Sequence, residues 1–185
     1  MSTYRRIARA ILSPVVRFLV YFNVSPNIVS LLQILGGVVV FYLIVPYPKV
    51  ALVVFLLTLL LDTLDGALAR STGRSSPFGA LMDQFSDHAR EAIVIAGLAT
   101  AGALSPAPAV LYVFVYTTFN LTLFLCNYNT VALPLALKSY LLVYPAIFLY
   151  LWFGQNWLDS AVTLSIGLMA AFVAIGFWRL SGALR

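Results

Sequence analysis

Five of the six acidic residues in this 185-residue chain fall between positions 62 and 91: Asp62, Asp65, Asp83, Asp87 and Glu91. Only Asp159 stands elsewhere. Asp62 and Asp65 are three apart, and Asp83 and Asp87 are four apart, so each pair shares one face of a helix. A carboxylate inside a membrane span costs about 2.5–3.5 kcal/mol on insertion scales unless something offsets it. Four facing carboxylates on neighbouring helices carry the charge that two divalent cations would balance. Oxygen ligands alone suit a hard ion, Mg²⁺ or Mn²⁺. The chain has one cysteine, Cys126, and one histidine, His88, which argues against zinc. The neighbours are small: Gly66, Ala67 and Ala69 after the first pair, Gly79 and Ala80 before the second. Small residues let a backbone or a ligand come close. Arg70 follows at the end of the same helix, with Arg74 beyond it. Cations beside arginines are suited to a diphosphate, because metal bridges its oxygens while guanidinium donates charge-assisted hydrogen bonds.

The elements that carry these groups are read from composition first. Hydrophobic residues make up 62% of the chain and charged residues 9%, against about 45–50% and about 25% in soluble domains. That excludes a soluble domain and a disordered chain, and implies an all-α integral membrane protein in one domain over 1–185. Residues 3–21 alternate apolar and basic positions at helical spacing, which predicts an amphipathic interfacial helix with a break at Pro14. Six transmembrane helices follow, over about 28–45, 50–70, 78–102, 109–128, 135–153 and 162–180. Pro46–Lys49, Ser105–Pro108 and Gly154–Asn156 read as turns.

The formal net charge is +5, which in such a chain reads as topology and contact with anionic lipid, not nucleic acid. Arg5, Arg6, Arg9, Arg17, Arg70, Arg74, Lys138, Arg179 and Arg185 fall at one set of helix ends, and Lys49 alone at the other. Both termini and the acidic ends of the second and third spans are therefore expected on the cytoplasmic side. The single cysteine allows no intrachain disulfide.

Two other readings of the aspartates compete with a metal site. They could be interhelical glue paired with Arg70, Arg74 and Arg90, or the ion site of a cation-coupled transporter. The first leaves the regular spacing to coincidence. The second lacks an inverted repeat and a midplane site.

The run Asp62-x2-Asp65-Gly66-x2-Ala69-Arg70-x8-Gly79-x3-Asp83-x3-Asp87 resembles the signature of the CDP-alcohol phosphatidyltransferase family at each fixed position. Ser25-Pro26-Asn27-Ile28-Val29-Ser30 resembles that family's helix entry near the nucleotide. The resemblance implies an enzyme of phospholipid biosynthesis, a homodimer in a prokaryotic cell membrane. It would transfer a phosphatidyl or archaetidyl group from a CDP-linked lipid to an alcohol and release CMP. It implies two Mg²⁺ or Mn²⁺ ions held by Asp62, Asp65, Asp83 and Asp87, with Asp87 also the base for the acceptor hydroxyl. It implies CDP contacts from Asn27, Ile28, Val29, Ser30, Asp62, Gly66, Ala69, Arg70, Ser76 and Gly79.

Within the family, the wording around Asp65–Arg70 is closest to phosphatidylinositol-phosphate and archaetidylinositol-phosphate synthases. Those relatives carry several basic residues on the later spans, where this chain has Lys138 and Arg179. A small polar alcohol without a phosphate is the expected acceptor, with Asn127, Lys138 and Arg179 as its candidate contacts. A phosphorylated inositol is the alternative.

Overall fold

The computed structural model describes residues 13–133 and 141–183, and every regular element among them is helical. The helices are α1 (13–21), α2 (Pro26–Leu43), α3 (Pro48–Ser71), α4 (Pro77–Thr100), α5 (Pro106–Tyr128), α6 (Val143–Phe153) and α7 (Leu158–Ala183). Pro48, Pro106 and Pro108, read from the sequence as turn residues, instead lie in the first turns of α3 and α5. Pro26 and Pro77 open α2 and α4 in the same way. A first-turn N–H has no intrahelical acceptor, so proline loses nothing there and brings the right φ.

Among the described residues four helices, α2, α3, α5 and α7, are long and apolar enough to cross a membrane. Six were expected, and the two exceptions have different causes. α4 has 24 residues, but residues 83–94 belong to every 18-residue window within it. Each such window therefore holds Asp83, Asp87, Arg90 and Glu91. α6 has 11 residues, about 16 Å of helix at 1.5 Å per residue. It begins at Val143 rather than near Leu135, and 134–140 lie outside the described residues. The same holds for residues 1–12 of the expected amphipathic helix. Its described part is helical from 13 and contains Pro14, and the break expected at Pro14 adjoins residues outside the described ones.

The chain divides into two compact units. The described part of the first comprises 13–43 and 53–94. α1 docks through Val16 and Leu19 onto Val29, Leu64 and Leu68, leaving Phe18, Tyr21 and Phe22 exposed. α2 buries Pro26, Val29, Ser30, Gln33, Gly37 and Val40, one helical stripe. Gly73, at φ +65°, ends α3 with Arg74 N bonded to Ala69 O at 3.0 Å. A side chain there would strain the left-handed turn that sends the chain into α4.

The described part of the second unit comprises 44–52, 95–133 and 141–183. Its largest contact is α5 on α7, with α6 also against α7. α7 buries Leu158, Val162, Ser165, Met169, Phe172, Gly176 and Leu180, and Phe119 meets Phe172 at 5.0 Å between ring centroids. A Cβ on Gly176 would collide with Thr122 Cγ2. Gly176→Leu should therefore lower stability by about 1–3 kcal/mol, read as a lower unfolding temperature in detergent. Asp159, the acid outside the cluster, accepts from Ser105 N at 2.8 Å and Ser105 Oγ at 2.9 Å. Asn156 Nδ2 donates to Ala103 O at 2.8 Å beside it. These bonds fasten the α4–α5 turn to the start of α7.

Candidate metal and diphosphate site

α3 and α4 are joined by the short connection 72–76, and in the first unit their acids meet. One carboxylate oxygen from each of Asp62, Asp65 and Asp83 lies within 4.8 Å of the others. Asp65 is 3% exposed. Its Oδ2 accepts from Ser30 Oγ at 2.6 Å and from Gln33 Nε2 at 3.1 Å, while Oδ1 is buried with no hydrogen-bond partner. Asp83 Oδ1 is likewise buried without one. A buried carboxylate oxygen left unpaired costs its full desolvation. Two such oxygens within a group of three carboxylates suit a hard cation and fit Mg²⁺ or Mn²⁺ in charge and donor type.

A cavity opens beside this group. α2 lines it with Pro26, Asn27 and Ser30, and α3 with Asp65, Gly66, Ala69 and Arg70. The connecting loop adds Arg74, Ser75 and Ser76, and α4 adds Gly79, Ala80 and Asp83. The small residues have a visible use. A Cβ on Gly66 would stand 3.2 Å from Arg70 Nη1, and one on Gly79 would stand 3.3 Å from Ser76 Oγ. Their absence lets the guanidinium fold back toward Gly66. Ser76 caps α4, accepting from Gly79 N at 3.0 Å. Arg74 Nη2 donates to Asn23 Oδ1 at 3.2 Å, so the turn before α2 helps hold that arginine. Two guanidinium groups and a helix N-terminus around one cavity favour an anion with several phosphate oxygens.

Of the residues expected to contact CDP, Asn27, Ser30, Gly66, Ala69, Arg70, Ser76 and Gly79 line this cavity. Ile28 and Val29 do not. Val29 packs in the core with Val16 and Leu68, and Ile28 is 52% exposed. Successive helical residues turn by about 100°, so a face that presents Asn27 and Ser30 sends 28 and 29 elsewhere. Asp62 is in the carboxylate group but not in the lining. Asp87 is in neither, and its Oδ1 lies 2.9 Å from Arg90 Nη1. His88 Nδ1 donates to Gln84 O at 2.6 Å, within its own helix.

The expected acceptor residues belong to the second unit or lie outside the described residues. Lys138 is outside. Asn127 is exposed in the last turn of α5. Arg179 Nη1 donates to Ala132 O. Asn120 and Asn129 each donate to the carbonyl four residues back, at Tyr116 and Leu125.

Sequence reasoning missed Gln33. Its signal was a single amide within the apolar run Leu31–Val40, where polar groups need partners. Arg90, which the sequence offers as a pairing partner for the aspartates, donates to Gln33 Oε1 at 2.7 Å and pairs with Asp87.

Residues 23–178 match the family model described as CDP-alcohol phosphatidyltransferase. The archaetidylinositol phosphate synthase of Aeropyrum pernix is 44% identical over 55 residues, 30% of this chain and 28% of that protein. The phosphatidylinositol phosphate synthase of Streptomyces avermitilis is 33% identical over 94 residues, 48% of this chain and 37% of that protein. The chain thus spans less than half the length of the curated relatives it matches. The fold is that of the phosphatidylinositol phosphate synthase of Mycobacterium tuberculosis. Its crystal structure with CDP-DAG bound gives a TM-score of 0.65 at 21% identity over 94% of each chain. The structure of the same protein with manganese and citrate gives 0.63 at 20%, over 92% of this chain and 88% of that one.

Proposed function

The chain belongs to the CDP-alcohol phosphatidyltransferase family, and from that premise we propose that it joins a CDP-linked lipid to a small polar alcohol and releases CMP. The observation that carries this reading is the group Asp62, Asp65 and Asp83 with its two unpaired buried oxygens, beside a cavity bounded by Arg70 and Arg74. An integral membrane chain of long apolar helices suits a donor whose tails stay in lipid.

Each residue has a task in that reaction. Asp62, Asp65 and Asp83 would hold the divalent ions, with Asp87 as a further ligand, and metal held by these carboxylates would supply charge neutralisation for the diphosphate and for the leaving phosphate. Arg70 and Arg74 donate to diphosphate oxygens, and Asn27, Ser30, Ser76 and Gly79 line the nucleotide's place. Asp87 takes the proton of the acceptor hydroxyl. The acceptor oxygen bonds to the lipid-side phosphorus, the bond from that phosphorus to the bridging oxygen breaks, and CMP departs with the electron pair. The active site and both termini face the cytoplasm of a prokaryotic cell, and the enzyme is a homodimer.

The acceptor is an alcohol without a phosphate, contacted by Asn127, Lys138 and Arg179. A buried phosphate dianion needs more than one or two cations to offset its desolvation. A phosphorylated inositol is the second reading, and the named products of the Aeropyrum and Streptomyces relatives favour it. The test is incubation of the purified protein with Mn²⁺, CDP-diacylglycerol or CDP-archaeol, and a panel of alcohols that includes inositol and its phosphate. CMP release and product mass are measured. CMP release with phosphorylated inositol alone selects the second reading. Silence with every donor and acceptor, together with gradient-driven cation uptake into sealed vesicles, would overturn both.

A further inference from the structure

Gln33 has no task in that reaction, yet it is 0% exposed and bonded at both ends of its amide. Nε2 donates to Asp65 Oδ2 at 3.1 Å, and Oε1 accepts from Arg90 Nη1 at 2.7 Å. The same Nη1 lies 2.9 Å from Asp87 Oδ1. A carboxylate at one end and a guanidinium at the other leave the amide one orientation. Flipped, it would set oxygen against carboxylate and NH₂ against guanidinium.

The backbone fixes its place as well. A Cβ on Gly37 would stand 3.2 Å from Arg90 Cα, and one on Gly36 would collide with Thr58 Cγ2. α2 therefore comes close to α3 on one side and to α4 on the other, one turn from Gln33. An aliphatic side chain could fill that space. A buried amide repays its desolvation there only because both ends are paired.

We infer that Gln33 is a positioning residue, which orients the Asp65 carboxylate for metal and, through Arg90, the Asp87 carboxylate for the acceptor proton. The inference rests on the proposed function. Ser30 and Gln33 both occupy Asp65 Oδ2, which leaves Oδ1 for a cation. Arg90 links the same amide to the acid on the next helix. One side chain on α2 thus ties a carboxylate of α3 to a carboxylate of α4. Partners that orient metal ligands in this way change metal affinity or activity by about 10–100-fold when removed.

The test uses Gln33→Met, which keeps length and volume but bonds to neither partner. Mn²⁺ binding is followed on purified protein without lipid, from the electron paramagnetic resonance signal of free Mn²⁺. CMP release is measured across Mn²⁺ concentrations. Affinity for Mn²⁺ should fall by about 10–100-fold. At saturating Mn²⁺, kcat should stay low while KM for the CDP-lipid moves little. Gln33→Asn keeps the amide but is one methylene too short to reach both partners, and should lose the same Mn²⁺ affinity. Thermal unfolding reports whether each variant is folded. A folded variant that binds Mn²⁺ and turns over within about twofold of the unmodified protein overturns the inference. So does loss of fold in both variants, which would make Gln33 a packing residue. Unmodified protein that fails to bind Mn²⁺ would strike at the proposed function instead.

Discussion

Stripping divalent ions with excess chelator should bring CMP release to background, and added Mn²⁺ or Mg²⁺ should restore it. Asp62→Asn should bring release close to background even at high Mn²⁺. The reason is the convergence of Asp62, Asp65 and Asp83 within 4.8 Å. Like charges at that spacing repel by several kcal/mol at an effective dielectric of about 20, and a divalent cation held between them would supply the attraction. The asparagine keeps one carbonyl oxygen but surrenders the charge, so metal and donor binding should weaken together. Nucleotide affinity and CMP release, measured side by side, read both losses. Turnover that persists in excess chelator would remove the metal assignment for all three aspartates.

Asp87→Asn should behave differently. Turnover should fall by about 10²–10⁴, the usual worth of general acid–base catalysis, while nucleotide affinity changes far less. Asp87 touches Asp62 at the edge of the group of three and is also held by Arg90; the asparagine keeps one oxygen for a cation, so Mn²⁺ binding by the other aspartates should remain largely in place. The comparison is made at saturating Mn²⁺, with nucleotide affinity measured on the same preparation. Near-normal turnover in Asp87→Asn would reassign Asp87 from base to replaceable ligand.

What the sequence made legible was local. The spacing of Asp62, Asp65, Asp83 and Asp87, the glycines beside them and Arg70 are short-range patterns, and a helix maps such patterns onto a face directly. The long apolar runs of α2, α3, α5 and α7 carry their own signal. What was not legible depends on neighbours far along the chain. Gln33 is one amide in an apolar helix until Asp65, 32 positions on, and Arg90, 57 positions on, arrive beside it. Asp159 is a stray acid until Ser105 supplies two donors. The prolines misled for another reason: Pro48, Pro106 and Pro108 are turn formers and also first-turn residues of helices, and composition does not separate the two uses.

The charges that every span-length window of α4 contains also bear on how the protein is made. Charged residues at mid-helix each oppose insertion by about 2.5–3.5 kcal/mol, so α4 has no strong affinity for lipid when it emerges from the ribosome. α2 and α3 come first, and they carry the groups that meet it: Gln33 for Arg90, and Asp62 and Asp65 beside Asp83. A membrane position for α4 is therefore earned through its predecessors, and synthesis order becomes part of the site's assembly. A fragment that begins after α3 should leave this segment in the aqueous compartment, whereas one that retains α2 and α3 should draw it in.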